Sequence, residues 1–243
     1  MAYSFKFIKN GNIKVGSSIW TANKLAGNGE INGVKGSCSK YCTGCYNKED
    51  PKKSSCYVFK SYRTYGWKKS TVVKSHISNT LAMRNDPDSA FADIALQLKR
   101  AKIKPTSIRI HASGEIESAE ELYRWIEVSR AFPSIPFYIY TKAYDYVESV
   151  FRAYEIMGKT LPDNFFLNVS VWHENGTDCY KEWKHIPNVR AFVYDDGYDY
   201  GDLVIDCHCP AYSKNGKMNH NATCDKCKIC FRNKNKVCAC YDH

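Results

Sequence analysis

The sequence predicts an α/β protein, a partial (β/α)6-like open barrel followed by a small cysteine-rich C-terminal extension. Two observations carry this prediction. Short runs rich in β-branched and aromatic residues alternate with stretches whose apolar residues recur at helical spacing, and this alternation is typical of a parallel sheet or barrel. Seven of the twelve cysteines lie after residue 206. We therefore assign residues 1–206 to the barrel and residues 207–243 to the extension.

The predicted elements alternate along the chain. Asp86-Pro87 begins a helix, because proline is favoured at the first helical position. Ser118 and Glu121 form a capping box that begins another helix, and residues 147–154 repeat apolar side chains at helical spacing. The predicted strands are a first one near Ile13–Trp20, then Ile108–Ser113, Phe137–Lys142, Phe165–Trp172, Val189–Tyr194 and Leu203–Cys207.

Polar and apolar residues alternate within these strands. In the strand at 108–113, Ile108 and Ile110 fall on one face, whereas Arg109 and His111 fall on the other. Parallel strands covered by helices on both faces would be apolar throughout. One face is therefore expected to pack under helices, and the other to line water or a ligand. An antiparallel sheet with one wet face is the alternative.

Several side chains on the predicted polar face have the chemistry of a substrate site. His111 is a candidate for substrate contact or proton transfer, and Tyr140 and Lys142 are the other candidate catalytic groups. Arg109 is a candidate for binding an anionic substrate. Alternatively, Arg109 and Lys142 form buried ion pairs.

Composition excludes two classes of protein. Hydrophobic residues make up 44% of the chain, which is too many for an intrinsically disordered protein. No apolar run approaches the roughly 18 residues of a membrane span, and the first residues lack the pattern of a signal peptide. We therefore expect a soluble, cytoplasmic protein that does not contact a membrane.

Charge is distributed unevenly along a chain whose formal net charge is +10. Residues 1–75 hold 14 Lys/Arg and 3 Asp/Glu, residues 76–206 hold 14 and 20, and residues 207–243 hold 7 and 2. The layout predicts that both ends face something anionic, such as nucleic acid, phosphate or bound clusters; ordinary exposed lysines are the alternative. Aromatic residues interleaved with cations at 60–69 favour nucleic acid as one partner.

Cys38, Cys42 and Cys45 have the spacing C-x3-C-x2-C. Three thiolates this close can bind three irons of a cubane and leave the fourth iron open to a substrate or cofactor. Zinc would require a fourth protein ligand, which Cys56 or a histidine could provide. Without a signal peptide, metal binding is favoured over a disulfide framework.

The tail carries a second motif, since Cys224, Cys227 and Cys230 follow the ferredoxin-like spacing C-x2-C-x2-C. Cys209, which precedes a proline, is the candidate fourth ligand, and Cys207 is the alternative. Cys238 and Cys240 are candidate ligands of another site or further alternatives to these two. Zinc is the alternative occupant of this site. The roles of the remaining cysteines stay open: Cys56, Cys179, Cys207, Cys238 and Cys240.

The motif from Cys38 to Cys45 resembles the cluster motif of the radical S-adenosylmethionine (radical SAM) superfamily, and the polar-lined β/α series is similar to its partial barrel. The resemblance implies a 4Fe-4S cluster on these three cysteines, bound S-adenosylmethionine, and an electron donor such as flavodoxin or ferredoxin. It also implies an auxiliary 4Fe-4S cluster in the tail. The order of elements, including Cys209-Pro210 before the tail motif, also resembles a phage-borne family of unassigned activity.

The same resemblance implies cofactor contacts. Gly114-Glu115 looks like the superfamily's Gly-Gly-Glu segment, which would put Glu115 near the methionyl amino group; a carboxylate favoured by a helix dipole is the alternative. Asn168 and Ser170 match the position of its ribose-contacting polar residues. Gly44 stands where members usually carry an aromatic residue, so Tyr46 is the candidate aromatic contact.

Three functional hypotheses follow. The first is a radical SAM-type enzyme acting on an unknown substrate. The second is a non-enzymatic iron–sulfur or zinc protein that binds nucleic acid through basic, tyrosine-rich surfaces. The third keeps the barrel and the clusters but uses them for redox chemistry without S-adenosylmethionine.

Overall fold

Seven parallel strands form the central sheet. The computed structural model describes residues 3–9, 15–42, 56–64, 70–173, 175–211, 213–214, 217, 219, 221–232 and 237–241. Its strands are β1 Ile19–Ala22, β2 Glu30–Ile31, β3 Val34–Lys35, β4 Ser107–Ile110, β5 Phe137–Thr141, β6 Phe165–Val171, β7 Val189–Asp195, β8 Cys207–His208 and β9 Val237–Tyr241. The sheet order is β1-β4-β5-β6-β7-β9-β8, and β2 pairs with β3 in a separate antiparallel hairpin.

Helices follow most of the strands. They are α1 Tyr57–Thr64, α2 Thr71–Asn85, α3 Pro87–Arg100, α4 Ala119–Ala131, α5 Tyr144–Ile156, α6 Thr177–Trp183 and α7 Cys224–Cys227, and a 3-10 turn follows at Ile229–Phe231. The predicted start of α3 is confirmed, since the Ser89 amide donates to Asp86 Oδ1 at 3.0 Å. The capping box of α4 is also present, with the Glu121 amide donating to Ser118 Oγ at 3.1 Å.

One large apolar core lies between the sheet and helices α2–α6. It contains strand residues such as Ile108, Ile110 and Leu167 together with helix residues such as Trp125 and Phe151. The first five strands of the sheet follow one another in space in the same order as along the chain, namely β1, β4, β5, β6 and β7. Crossovers between parallel strands are right-handed. These crossovers therefore carry their helices to the same face of the sheet, and the other face is left for the site. The predicted parallel α/β fold is confirmed, and the antiparallel alternative is wrong.

Two predicted strands need correction. The first strand lies at Ile19–Ala22 instead of near Ile13–Trp20, and residues 13–14 fall outside the described part of the chain. The last predicted strand, Leu203–Cys207, is reduced to β8 at Cys207–His208. Val204 is 76% exposed, whereas Leu203 and Ile205 are partly buried against the core without forming a strand.

The tail is joined to the sheet. β9 pairs in parallel with β7 on one side and with β8 on the other. Buried Val237 and Ala239 of β9 extend the apolar core. The division at residue 206 stays a prediction, but two strands of the segment after it belong to the same sheet as the segment before it.

Candidate functional site

The face of the sheet turned away from the core lines a cavity of about 960 Å³. Its wall includes side chains from the strand positions that alternate with the core positions: Arg109, Tyr138, Tyr140, Ser170, Phe192 and Tyr194. Alternation therefore produces one apolar face and one face that surrounds an open volume, as the sequence predicts.

Cysteines from distant parts of the chain line this single cavity. The contributors are Cys38, Cys42, Cys56, Cys209, Cys224, Cys227, Cys230 and Cys240. The first three come from the loop around the β2–β3 hairpin and the start of α1, and the other five come from the tail. The fold thus brings the two predicted metal motifs to the same chamber.

The N-terminal cysteines are held by backbone contacts near the hairpin. The Cys38 amide donates to the Gly27 carbonyl, and the Gly27 amide donates to Cys38 Sγ, both at 3.0 Å. A side-chain hydrogen bond with Cys42 and burial raise the pKa of Cys38. Ser39 Oγ donates to the Lys142 carbonyl at 2.9 Å, which ties this loop to the end of β5. Cys45 and Tyr46, the third predicted ligand and the predicted aromatic contact, lie outside the described residues.

Glu115 is held beside these cysteines by neutral donors. Its carboxylate accepts hydrogen bonds from the Lys142 amide at 2.8 Å, from Thr141 Oγ1 at 2.9 Å and from the Ile116 amide at 2.9 Å. Burial raises its pKa to about 7, and Cys42 adds to the increase. Thus β4 and β5 bring the predicted cofactor residue to the cavity wall near the N-terminal motif.

Gly114 fixes the turn that carries Glu115. Its φ is +79°, a conformation that glycine adopts without steric penalty. A Cβ at this position would lie 2.4 Å from Ser37 Oγ and 2.9 Å from Lys24 Cβ. The loop that precedes Cys38 and the turn after β4 therefore pack in direct contact, which fixes Glu115 relative to the motif.

The middle of the cavity is cationic and aromatic. Arg109 lies over the Tyr140 ring, with Cζ 5.1 Å from the centroid. Lys142 Nζ lies 4.3 Å from the centre of the Trp172 ring, and Trp172 stacks on Tyr194 at 4.2 Å. The described part of the chain shows no ion pair for Arg109 or Lys142, which disfavours the alternative of buried ion pairs.

His111 borders the same cavity as Arg109, but its ring turns away from the strand face. Its φ is +49°, so the backbone leaves the strand conformation immediately after β4 and the alternation of faces ends there. Its Nε2 contacts Glu121 Oε1 at 2.7 Å, and its ring packs edge-on against Trp125, 6.0 Å between centroids. Burial lowers the pKa of His111 despite the neighbouring Glu121 carboxylate. The His111 ring does not share the strand face of Arg109, because it is held against α4. His111 nevertheless lines the same cavity, and its role as a candidate catalytic group stays a prediction.

The two predicted ribose contacts differ. Ser170 lines the cavity. Asn168 is buried, and its amide donates to the Ile139 carbonyl at 3.1 Å and to the Cys230 carbonyl at 3.4 Å. The structure thus gives Asn168 another task than a cofactor contact, which is to hold the tail against the sheet.

The tail motif is fixed to the same inner face. Phe231 stacks on Tyr138 with ring centroids 4.8 Å apart, and Arg190 Nη1 donates to the Ile229 carbonyl. Burial raises the pKa of Cys230 to about 12, although Tyr140 opposes the increase through a hydrogen bond. Cys209 is positioned by its amide, which donates to the Ala239 carbonyl at 2.7 Å.

The described cysteines do not form a site for a single metal ion. Within the described ranges, no three Cys, His, Asp or Glu side chains surround a point where a single metal ion could bind. In a cubane, each cysteine binds a different iron, so the sulfur ligands surround the whole cluster and lie farther apart than the ligands of a single metal ion. Thiols that line a shared cavity fit such a cluster.

Comparison with protein families gives one result. A family described as gene product 88 matches residues 6–233. The chain belongs to the gene product 88 family. This family is associated with phages and has no assigned activity. The predicted likeness to a phage-borne family is therefore confirmed, and radical SAM chemistry stays a prediction. No curated protein and no solved structure matches the chain.

This gene product 88 chain also carries three cysteines whose roles the sequence left open and one arginine that the sequence analysis did not single out. Cys240 lines the cavity from β9. Cys207 and Cys238 are register partners in β8 and β9. Arg190 of β7 is 1% exposed and contacts the tail. The sequence could have indicated Arg190, because the alternation of β7 puts it on the inner face of the strand. A charged residue at such a position needs a partner.

Two further observations concern the alternatives for this gene product 88 protein. Tyr62, in the basic and aromatic segment at 60–69, is fully buried, with its hydroxyl 2.7 Å from His76 Nδ1; residues 65–69 lie outside the described chain. Tyr62 therefore cannot stack on a nucleobase. No described helix is long and apolar enough to cross a membrane.

Proposed function

We propose that this protein is an iron–sulfur enzyme of radical SAM type. The observation that carries the proposal is one cavity bordered by Cys38 and Cys42 of the C-x3-C-x2-C motif, by the Glu115 carboxylate and by the tail cysteines. Cys38, Cys42 and Cys45 would hold one cluster. Cys209, Cys224, Cys227 and Cys230 would hold the second.

Cys38, Cys42 and Cys45 would hold the cluster whose open iron would supply one electron for the reductive cleavage of S-adenosylmethionine. That electron would come from a flavodoxin- or ferredoxin-type donor.

The chain's own residues bind and orient the reactants. Glu115 is fixed by three donors, and its carboxylate would accept a hydrogen bond from the methionyl amino group. Arg109 and Lys142 would bind an anionic part of the substrate, because both lie on the cavity wall without an ion pair in the described chain. Tyr140 and Trp172, over which these cations lie, restrict the substrate's position and exclude water.

Anaerobic reconstitution with iron and sulfide, followed by addition of S-adenosylmethionine and dithionite, tests the proposal. We expect 5′-deoxyadenosine from the wild-type protein and none from Cys38→Ala, Cys42→Ala or Cys45→Ala. Cys179→Ala is the matched control, since Cys179 lies on α6 and is not among the cavity-lining residues. Binding of S-adenosylmethionine without cleavage, or zinc in place of iron, would overturn the proposal.

Cys56 requires its own variant, because it also lines the cavity. If Cys56 were the fourth ligand of the first cluster, no iron would stay open and the protein would not cleave S-adenosylmethionine. We expect Cys56→Ala to keep both the iron content and the cleavage activity of the wild type. Loss of iron in this variant would identify a closed cluster and contradict the proposed chemistry.

A further inference from the structure

Arg190 is a buried cation without an anion of its own. It lies on the inner face of β7, opposite Asn168 of β6, and is 1% exposed. One guanidinium nitrogen, Nη1, donates to the Ile229 carbonyl. The other two nitrogens, Nε and Nη2, are buried and have no hydrogen-bond partner in the described part of the chain. No ion pair involves Arg190 in that part either.

Such an arrangement is unfavourable unless something else binds there. Arginine stays protonated in proteins, so its charge cannot be removed by a change in pKa. A buried charge is costly unless it is paired and its hydrogen-bond donors are satisfied. The geometry of Arg190 therefore indicates an anionic group with acceptor atoms at this place.

The guanidinium lies beside the tail motif. Ile229, whose carbonyl it contacts, precedes Cys230, and the Cys230 carbonyl accepts a hydrogen bond from the neighbouring Asn168. The anion that Arg190 lacks would therefore lie among the tail cysteines.

A second arginine approaches the same motif. Arg109 lies over Tyr140, and Tyr140 is hydrogen-bonded to Cys230. Its Nε is buried and has no partner within the described residues. Two guanidinium groups without carboxylate partners thus face one group of cysteines, which favours a dedicated site over an isolated packing defect.

We propose that Arg190 is the counter-charge of a negatively charged iron–sulfur cluster bound by the tail cysteines. The inference rests on the tail cluster of the proposed function and adds to it the group that retains the cluster and sets its potential. Hydrogen bonds and positive charge near cluster sulfurs raise the reduction potential, and neighbours of metal ligands strengthen metal binding.

The first test measures how cluster loading changes thermal stability. The protein carries Cys38→Ala, Cys42→Ala and Cys45→Ala, so that any iron belongs to the tail, and is compared with and without Arg190→Met. We expect Arg190→Met to lower the affinity of the tail for iron about 10- to 100-fold and to reduce the increase in Tm on loading. A merely structural arginine would lower the Tm of both forms equally and leave that increase unchanged.

Two variants make this test specific. Arg190→Lys keeps the charge but loses the planar set of donors, so we expect an intermediate effect. Arg124→Met removes an arginine of α4 that is paired with Asp88 and Glu120. We expect this variant to leave the increase in Tm on cluster loading unchanged. An unfolded Arg190→Met protein would be recognised by circular dichroism, and Arg190→Lys then supplies the comparison.

The second test measures the reduction potential of the tail cluster by an electron paramagnetic resonance titration. Loss of positive charge should lower the potential in Arg190→Met, and less so in Arg190→Lys. An unchanged potential together with an unchanged loading increase would overturn the inference, as would a tail that binds zinc or no metal. Neither test uses cleavage of S-adenosylmethionine. The wild-type protein could lack cleavage activity while the loading of its tail still depends on Arg190. That result would refute the proposed function and leave the inference about Arg190 intact.

Discussion

Lys24 and Arg190 are both buried cations, and their surroundings are opposite. Lys24 is fully buried, and its Nζ lies 2.9 Å from Glu117 Oε2 and 2.8 Å from Glu121 Oε2. Arg190 is 1% exposed and has no carboxylate partner in the described chain. Both belong to segments that border the cavity, Lys24 beside the N-terminal motif through its contact with Gly114 and Arg190 beside the tail.

The difference distinguishes a buried cation that stabilises the fold from one that can bind a ligand. The carboxylates around Lys24 have further partners, since Glu121 contacts His111 Nε2 at 2.7 Å and Glu117 contacts Arg84. Although burial opposes its charge, Lys24 and His111 lower the pKa of Glu121 to about 2. This charge network is satisfied within the protein and stabilises the turn after β4. Arg190 lacks such partners, so its charge remains available to a ligand.

The largest effect is expected from Lys24→Met. This change leaves Glu121 and Glu117 buried or half-buried without their cation, and removal of one partner of a buried ion pair costs about 3–5 kcal/mol. Urea unfolding should show this loss in the free energy of unfolding. The double variant Lys24→Met/Glu121→Gln should recover part of it, because the uncompensated carboxylate is then also gone.

Lys40→Met is the exposed control for Lys24. Lys40 Nζ lies 2.7 Å from Asp145 Oδ2, but the two side chains are 70% and 52% exposed. Ion pairs this exposed are screened by solvent and contribute little to stability, so this variant should unfold almost as the wild type does. Equal losses in the Lys24 and Lys40 variants would remove the basis of the comparison.

Much of the fold could be predicted because it depends on local patterns. Alternation of polar and apolar residues identified β4, β5, β6 and β7, and side-chain caps identified the starts of α3 and α4. β9 was missed because the cysteines in Val-Cys-Ala-Cys-Tyr, Cys238 and Cys240, suggested metal ligands, although the same five residues fit a strand. Local patterns therefore identify strands most reliably where their residues do not also suggest chemistry.

The candidate site could be predicted only in its sequence motifs. The spacing of Cys38 and Cys42 indicated one metal site and that of Cys224 to Cys230 another, but their convergence on one cavity depends on contacts between distant segments. The pairing of Lys24 with Glu121 likewise joins residues 97 positions apart. The position of the His111 ring depends on a positive φ, which alternation along a strand does not predict.

Glu115 offers a test with a pH-dependent sign. Burial raises its pKa from 4.5 to about 7, so between these values the folded protein binds a proton that the unfolded chain has released. Its contribution to stability is therefore present at low pH and is lost as the pH rises through about 7. Glu115→Gln cannot ionise. Relative to the wild type, the free energy of unfolding of Glu115→Gln should rise by about 2–3 kcal/mol between pH 5 and pH 8.

Urea unfolding of both proteins at the two pH values measures this relative change. Glu115 differs from Glu121 in that backbone amides and a hydroxyl hold it instead of a cation, and this explains why the two pKa values move in opposite directions. A gap between Glu115→Gln and the wild type that stays constant with pH would show that Glu115 is already ionised at pH 5.

Gly114→Ala tests the contact that joins Lys24 to the cavity. The φ of +79° strains any L-residue, and the added Cβ would lie 2.4 Å from Ser37 Oγ and 2.9 Å from Lys24 Cβ. Gly158→Ala is the matched control, because its φ is +62° but nothing lies within 4 Å of the added Cβ. Backbone strain alone costs about 1–2 kcal/mol, so Gly158→Ala should lose that much and Gly114→Ala about 1 kcal/mol more, since the crowded Ser37 and Lys24 side chains must move. Equal losses in thermal unfolding would mean that the turn adjusts freely around Lys24, and Glu115 would then not be fixed relative to the N-terminal cysteines.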